Sequence, residues 1–411
     1  MKTNTNQAKK ALLAILVMLL PLLANAEKVQ IDGIWYNLME KAKQAEVAHN
    51  DEAYTDSIFI VPATVMYNGN IYDVISVERL GLKSPFPISI ILSEGIMRIG
   101  DSAFSCADIK DIVIPKSVVS IGGHAFFNCV SLISITIPDG VKNIGDYAFW
   151  SCEGLTSIML PQSLESIGNS SFMGCTKLES IYIPNRINRI EKSTFKGCSS
   201  LKEVKLSNSV SAIEEEAFYD CTNLSSIVMP NVHRIESSAF WNCINLKFVD
   251  FSESIFTIGS FAFYGCANIT SIIIPKHVAS IGRSAFENCD SLSSIVFMGD
   301  PKIKEFAFSD CPQLLNVYCC SEESGVGAEI NSFMNSGTKY ATLYVPSSDV
   351  MRYYEYWEPW SNFGKIVPIT EEDFEWIYGH QQKILPFWGL LIAIGLISVI
   401  ILVSIKSKKK A

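Results

Sequence analysis

Through the middle of the chain, apolar and polar residues alternate in a short phrase that returns every 22 or 23 residues, and the phrase predicts one short strand and one turn per copy. Phe104, Phe126, Phe149, Phe172, Phe195, Phe218, Phe240, Phe263, Phe286 and Phe308 mark its phase, each behind an Ala, Ser or Thr. The copies read approximately I-G-x-x-A-F-x-x-C-x-x-L-x-x-I-x-I-P-x-x-V, with Ile144 to Pro161 a clear example. The I-x-I element alternates as a strand with one buried side does, and proline, which has no N–H for a ladder, closes it. No coil of this kind can bury its apolar edge alone. Ten copies therefore predict a solenoid of about ten coils whose strands stack in parallel about 4.8 Å apart, joined by short turn or 3-10 segments. Ser207, Ser252 and Met298 stand where the proline is missing and soften the strand ends without breaking the period.

The flanks differ from the repeats. Residues 27–87 alternate short apolar segments with turns, and Asn68-Gly69 inside Thr64–Val74 is a strong hairpin signal, because both residues tolerate positive φ. This region is expected to be a β-rich N-terminal cap on the repeats of 88–318. Residues 319–369, where Tyr353, Tyr354, Tyr356, Trp357, Trp360 and Phe363 crowd together, are expected to cover the last coil as a C-terminal cap. The same aromatic cluster could instead hold a ligand.

The two ends predict export. Lys2, Lys9 and Lys10 precede the apolar run Ala11–Leu23 and the small-residue end Ala24-Asn25-Ala26, the pattern of a cleaved signal peptide over 1–26. Residues 370–383 form a juxtamembrane linker. Ile384–Ile405 is uncharged and long enough for one transmembrane helix, and Lys406, Lys408, Lys409 and Lys410 in the tail of 406–411 place that end in the cytoplasm. The expectation is an exported single-pass protein whose body is periplasmic or extracellular, with a sorting tail that is later removed as the alternative.

Composition narrows the function. Hydrophobic residues make up 48% of the 411 and charged ones 18%, a ratio that excludes a disordered chain. The formal charge is −9, and without the seven lysines of the two ends 26 basic residues face 42 acidic ones, near −16. Such a body has no basic surface for displacing counterions from phosphate, so nucleic acid is not an expected partner.

The 12 cysteines resolve mostly into one phase of the repeat: Cys106, Cys129, Cys152, Cys175, Cys198, Cys221, Cys243, Cys266, Cys289 and Cys311. Cys106 follows its Phe by two residues and the other nine by three. Cysteine is a small, readily buried hydrophobe suited to a tight inward turn, and parallel stacking orients the side chains alike, which favours free thiols over bonds between coils. The spacing lacks the paired ligands of a zinc site. Cys319 and Cys320 lie outside this phase and are expected as thiols or as one bond to a neighbour. No G-x-S-x-G, phosphate loop or H-E-x-x-H occurs, and His49, His124, His233, His277 and His380 fall at unrelated phases. No catalytic residue, metal or cofactor is therefore assigned. The acidic run Glu214-Glu215-Glu216 reads as a solvated face.

Two surface rows remain as partner-binding candidates. Between the buried strand positions lie Val113, Thr136, Met159, Tyr182, Lys205, Val228, Asp250, Ile273, Val296 and Tyr318, and the apolar Val113, Met159, Tyr182, Val228, Ile273, Val296 and Tyr318 would form an extended outward face for a protein partner. Strand preference alone also explains such residues. Immediately after the repeat Phe, the residues Phe127, Trp150, Tyr219, Trp241 and Tyr264 would form an aromatic rail for protein anchors or sugar rings, unless they pack on one another.

The I-G-x-x-A-F-x-x-C-x-x-L-x-x-I-x-I-P unit, over Ile88 to about Tyr318, resembles the leucine-rich repeat of the BspA-like family, also called the Treponema pallidum type. Ile31-Asp32-Gly33-Ile34-Trp35-Tyr36 and Leu343-Tyr344-Val345-Pro346 with Tyr353 or Tyr354, Trp360, Phe363 and Ile366 are similar to the caps of such proteins in Bacteroidetes. The resemblance implies binding rather than catalysis, with cell-surface adhesion to host or matrix proteins as the most specific role. An envelope scaffold or sensor that binds glycans or other membrane proteins, and a solenoid hydrolase, are the rival readings.

Overall fold

The computed structural model describes residues 26–49, 57–80, 82, 87–321, 326–355, 358–373, 375 and 377. The signal-like run, the apolar stretch Ile384–Ile405 and the lysine tail lie outside them, as do Tyr356 and Trp357. Among the described residues no helix is long and apolar enough to cross a membrane.

The chain winds as a parallel-strand solenoid of about twelve turns, against the ten counted from the repeat. Each coil has two strand sides and one turn side. The I-x-I strands form the first row, from Ile88–Leu92 and Ile109–Val113 through Ser157–Met159 and Ser226–Val228 to Asn316–Cys319. It continues past the last regular repeat, where Thr342–Val345 pairs with Asn316–Cys319 and Lys365–Pro368 pairs with Thr342–Val345, all in parallel.

A second row was not legible in the sequence. Two-residue strands at the start of each copy, such as Ser120–Ile121, Asn143–Ile144 and Ser166–Ile167, pair with the equivalent residues one coil away. Two residues cannot display an alternation, and the glycine that follows reads as the onset of a turn. Six copies keep that glycine and the others hold Glu191, Glu214, Glu236 or Lys304; where it is kept the coils approach closely, since a Cβ on Gly145 would lie 2.6 Å from the Gly123 nitrogen and one on Gly282 2.4 Å from the Ser260 nitrogen.

The N-terminal segment feeds the second row. Glu27–Ile31, Ile34–Met39 and Gln44–Val47 form an antiparallel meander, and Gln44–Val47 then runs parallel to Asn70–Val77, the first rung beneath Arg98–Ile99. Thr64–Tyr67 closes against Asn70–Val77 as the expected hairpin, with Asn68 at φ 49° and Gly69 at φ 76°.

The core is a single apolar column. From Phe104 to Phe308 the rings of neighbouring coils stack with centroids 5.0–5.5 Å apart, and most planes lie within about 15° of parallel. The stack continues onto Phe333 at 5.3 Å, an eleventh ring that lies 25 residues beyond Phe308 and so falls outside the sequence period. At the far end, Trp360 is buried against Phe297, Phe333, Tyr353 and Phe363 and donates its indole N–H to the Val326 carbonyl at 2.9 Å.

The turn side is built on backbone hydrogen bonds. Each Phe N–H donates to the carbonyl of the residue before the next Phe, as Phe195 does to Ala217 at 2.8 Å. The residues two before and two after nearly every Phe adopt left-handed φ; around Phe149 these are Tyr147 at 58° and Ser151 at 57°. The later position carries Asn, Asp, Gly or Ser in most copies, the residues that tolerate this backbone.

Candidate binding surface

The repeat cysteines have a structural reason that burial alone did not give. Each of the nine from Cys129 to Cys311 donates its thiol proton to the carbonyl of the Phe in the preceding coil, at 3.0–3.5 Å. From Phe126 to Phe263 the same carbonyl also accepts the N–H of the cysteine in its own coil, as Phe195 O does from Cys198 at 3.1 Å, and Phe104 O accepts that of Ala107, so both lone pairs are used there. Burial pushes these thiols well up, to about 12 at Cys152, Cys198 and Cys311. They are inert as nucleophiles at neutral pH.

Cys106 does not belong to this set. Its backbone takes the left-handed φ of the residue two after Phe, its side chain is exposed, and Ala107 fills the buried position instead. In the eleventh coil Ser336 replaces the thiol, with its hydroxyl donating to Phe308 O and accepting from Cys311 N–H. All twelve cysteines are free thiols.

The aromatic rail is real as a row, but its rings are spent on one another. Trp241 is sandwiched between Tyr219 at 5.7 Å and Tyr264 at 4.1 Å, with planes 13° and 21° away, so both of its faces are covered. Phe127 and Trp150 meet at 4.9 Å. A second aromatic position, two before the repeat Phe, joins them: Phe261 packs on Trp241, and Tyr147 packs on Trp150 and stacks with His124 at 4.8 Å. His124 is thus a member of this ridge rather than a lone surface histidine. All five rail residues are half-buried. A sugar ring needs a free aromatic face, and Trp241 has none to give.

The second-row side is a charge ladder. Glu214 lies between Arg234 at 2.7 Å and Arg189 at 3.6 Å, Glu215 meets Lys192 at 2.7 Å, and Glu216 meets Lys196 at 2.9 Å. The acidic run is therefore paired coil by coil, with Glu214 and Glu216 partly buried, and the exposed Glu215–Lys192 pair adds about 0–1 kcal/mol.

The first-row face differs from both. Val113 is 56% exposed and Met159 69%, and Tyr182 and Val228 are also exposed. The register lines up Tyr182, Lys205 and Val228 as direct neighbours, with the Lys205 ammonium 5.6 Å from the Tyr182 ring centre. The row also extends toward the N-terminus beyond the repeats, since Ile60 pairs with Ile91 and Ile91 with Val113, and both isoleucines are exposed.

The far end of the same row is covered. Ile273 is half-buried, Val296 is 2% exposed and Tyr318 6%, which corrects the expectation of a free outward face there. Their cover is the chain itself. After Lys365–Pro368 it turns back through Thr370, whose N–H and hydroxyl both donate to the Asp373 carboxylate while the hydroxyl accepts the Asp373 N–H, a capping box that opens the helical residues 371–373. Ile377 then seats fully buried on Val296 and Tyr318, with Ile273, Met298, Cys320 and Tyr344 around it. Position in the repeat fixes where a side chain points, but whether another segment crosses it is tertiary and has no local mark.

The sequence pattern of the BspA type leucine rich repeat region, in six copies, matches residues 97–225 and 211–339, together more than half of the chain. The chain belongs to this BspA-type family. A leucine-rich repeat protein of Bacteroides ovatus is similar in solved structure, at 27% identity over 83% of this chain and all of that one, with a TM-score of 0.53. A leucine rich cell surface protein of Faecalibacterium prausnitzii is 21% identical over 86% of this chain and 97% of its own, with a TM-score of 0.41, and the Treponema pallidum leucine-rich repeat protein 18% identical over 70% and 91%, with a TM-score of 0.30. Among curated proteins none matches. Among the described residues of this BspA-type chain no group of three His, Cys, Asp or Glu side chains could hold a metal ion.

Proposed function

We propose that this protein is a binding module that holds a protein partner on the outward face of its first strand row, between Ile60 and Val228. The observation that carries the reading is the contrast between its sides: one is paired into ion ladders, one packs its aromatic rings together, and among the described residues only the first row repeats exposed apolar side chains at one phase, with Ile60, Ile91 and Val113 in register, then Met159, then Tyr182 and Val228 on either side of Lys205. A parallel solenoid holds that line rigid without spending ordering entropy on binding. Membership in the BspA-type family favours protein binding over catalysis.

The finer parts of the reading rest on the sequence. Ala11–Leu23 and the following small residues support export, and Ile384–Ile405 with its lysines supports a single-pass tether with a cytoplasmic tail. The antiparallel meander at one end and the Trp360 cluster at the other are read as the caps that close the apolar column. On a tethered surface protein the partner class is host or matrix protein, and adhesion is the role.

The test is surface plasmon resonance of the full chain in detergent micelles against a panel of soluble extracellular-matrix proteins. Binding to one of them is expected to be lost when Met159→Lys and Tyr182→Lys are combined, and retained when Phe256→Lys is made at an exposed position leading into the second row. Equal loss from both variants would refute the first-row site.

A further inference from the structure

We propose that the segment after Thr370 is a displaceable strap that occupies the C-terminal third of the partner-binding row, so that the row has a short closed form and a long open one. The inference rests on the reading of that row as the binding face. It adds that the chain supplies its own occupant and thereby regulates the site.

Three observations carry it. The first is continuity: Ile273, Val296, Tyr318, Tyr344 and Val367 are joined by ladder register, and they hold the same outward phase as the exposed Val113, Met159 and Tyr182. What lies beneath the strap is thus the far end of the open row, made of the same kinds of side chain. The second is the manner of seating. The strap adds no strand to the sheet. Its described residues 371–373, 375 and 377 are helical and begin at their own capping box, with Ile377 seated on Val296 and Tyr318 while Glu371, Glu372 and Glu375 stay in solvent. The third is that the seat is complete without it as backbone structure, because each rung below is already paired on both sides up to Lys365–Pro368. Lifting the strap uncovers side chains and breaks no ladder.

The seat carries its own reporter. Cys320 is half-buried at the edge of the Ile377 contact, and its thiol is pushed up to about 11 by burial and by the nearby Asp373 carboxylate. A lifted strap removes part of the burial and the carboxylate together, so the thiol becomes both more accessible and more acidic. Cys106, exposed in the first repeat, and the fully buried Cys319 bracket the measurement within the same chain.

The experiment is timed maleimide labelling of the full chain in detergent micelles, read cysteine by cysteine by mass spectrometry. Ile377→Asp is expected to speed labelling of Cys320 at least tenfold, with Cys106 unchanged and Cys319 and the repeat thiols still protected, which also shows that the fold is intact. Ile377→Leu keeps Cys320 slow. A synthetic peptide of residues 369–380 added to the Ile377→Asp protein restores protection of Cys320, and leaves the unsubstituted protein unaffected. Equal Cys320 rates in the two proteins, or no protection by the peptide, would overturn the strap. None of these readouts uses a partner, so the strap fails on labelling alone, while the binding face fails on assays with a bound partner.

Discussion

Replacing Phe195 by alanine removes one ring from the middle of the stack and tests whether the coils hold one another. The ring is fully buried, with Phe172 at 5.5 Å on one face and Phe218 at 5.3 Å on the other. Truncating a buried Phe costs about 3–5 kcal/mol in lost transfer and cavity energy. Each stacked contact contributes about 0.5–1.5 kcal/mol within that loss. Because every coil contacts only its neighbours, the cost falls on a single interface and uncouples the coils before it from those after it. Urea unfolding followed by far-UV circular dichroism is expected to show a midpoint reduced by about 3–5 kcal/mol of stability, with one transition broadened or split into two. Phe104→Ala, at the start of the stack with a ring neighbour on one side, costs less. A loss below about 1 kcal/mol at Phe195, or equal losses at the two sites, would refute the view that the ring column couples the coils.

The thiol column gives a second prediction. Cys221→Ala removes the proton that Phe195 O accepts at 3.2 Å and is expected to cost about 1–2 kcal/mol, while Cys221→Ser, which keeps a donor as Ser336 does, recovers part of it in the same urea assay. The buried thiols also set an alkaline limit. Their folded values lie above the unfolded one of about 8.5, so the native chain holds protons that the unfolded chain releases, and stability is full below about pH 8.5 and falls as pH rises toward 12. Cys198→Ala is expected to flatten that fall by up to about 1.4 kcal/mol per pH unit, and an unchanged slope between pH 9 and 11 would contradict it. On the binding face, Met159→Lys is expected to leave thermal stability within about 0.5 kcal/mol, because the side chain is largely in solvent, and calorimetry checks it.

Much of this architecture is legible from one residue type at one phase. Ten phenylalanines at a fixed step give the coil, the buried column and the direction of the first-row strand side chains, and Asn68-Gly69 gives the hairpin. What stayed hidden is short, displaced or tertiary. The second strand row is two residues deep. Phe333 sits at an irregular step with serine in place of the cysteine. The left-handed position two before each Phe holds Ser in half of the copies and His, Tyr, Glu or Phe in the rest, so the aromatic second position beside Trp150 and Trp241 had no pattern to reveal it. Cys106 shows the cost of a one-residue shift, since it moves from the core to the surface. Of the proposed binding row, Val113, Met159, Tyr182 and Val228 are where the repeat phase puts them, whereas Val296 and Tyr318 lie under a segment more than 50 residues away in sequence.

The central claim is that partners dock on the open part of the first strand row, and site-directed photo-cross-linking addresses it most directly. A benzophenone amino acid placed at Met159, and separately at Phe256, reports which side lies against the matrix protein that binds in the resonance assay. Both positions are apolar and well exposed, so general stickiness affects them equally. The account predicts a single adduct from Met159 and none from Phe256. Adducts of equal yield from both positions, or an adduct from Phe256 alone, would contradict it.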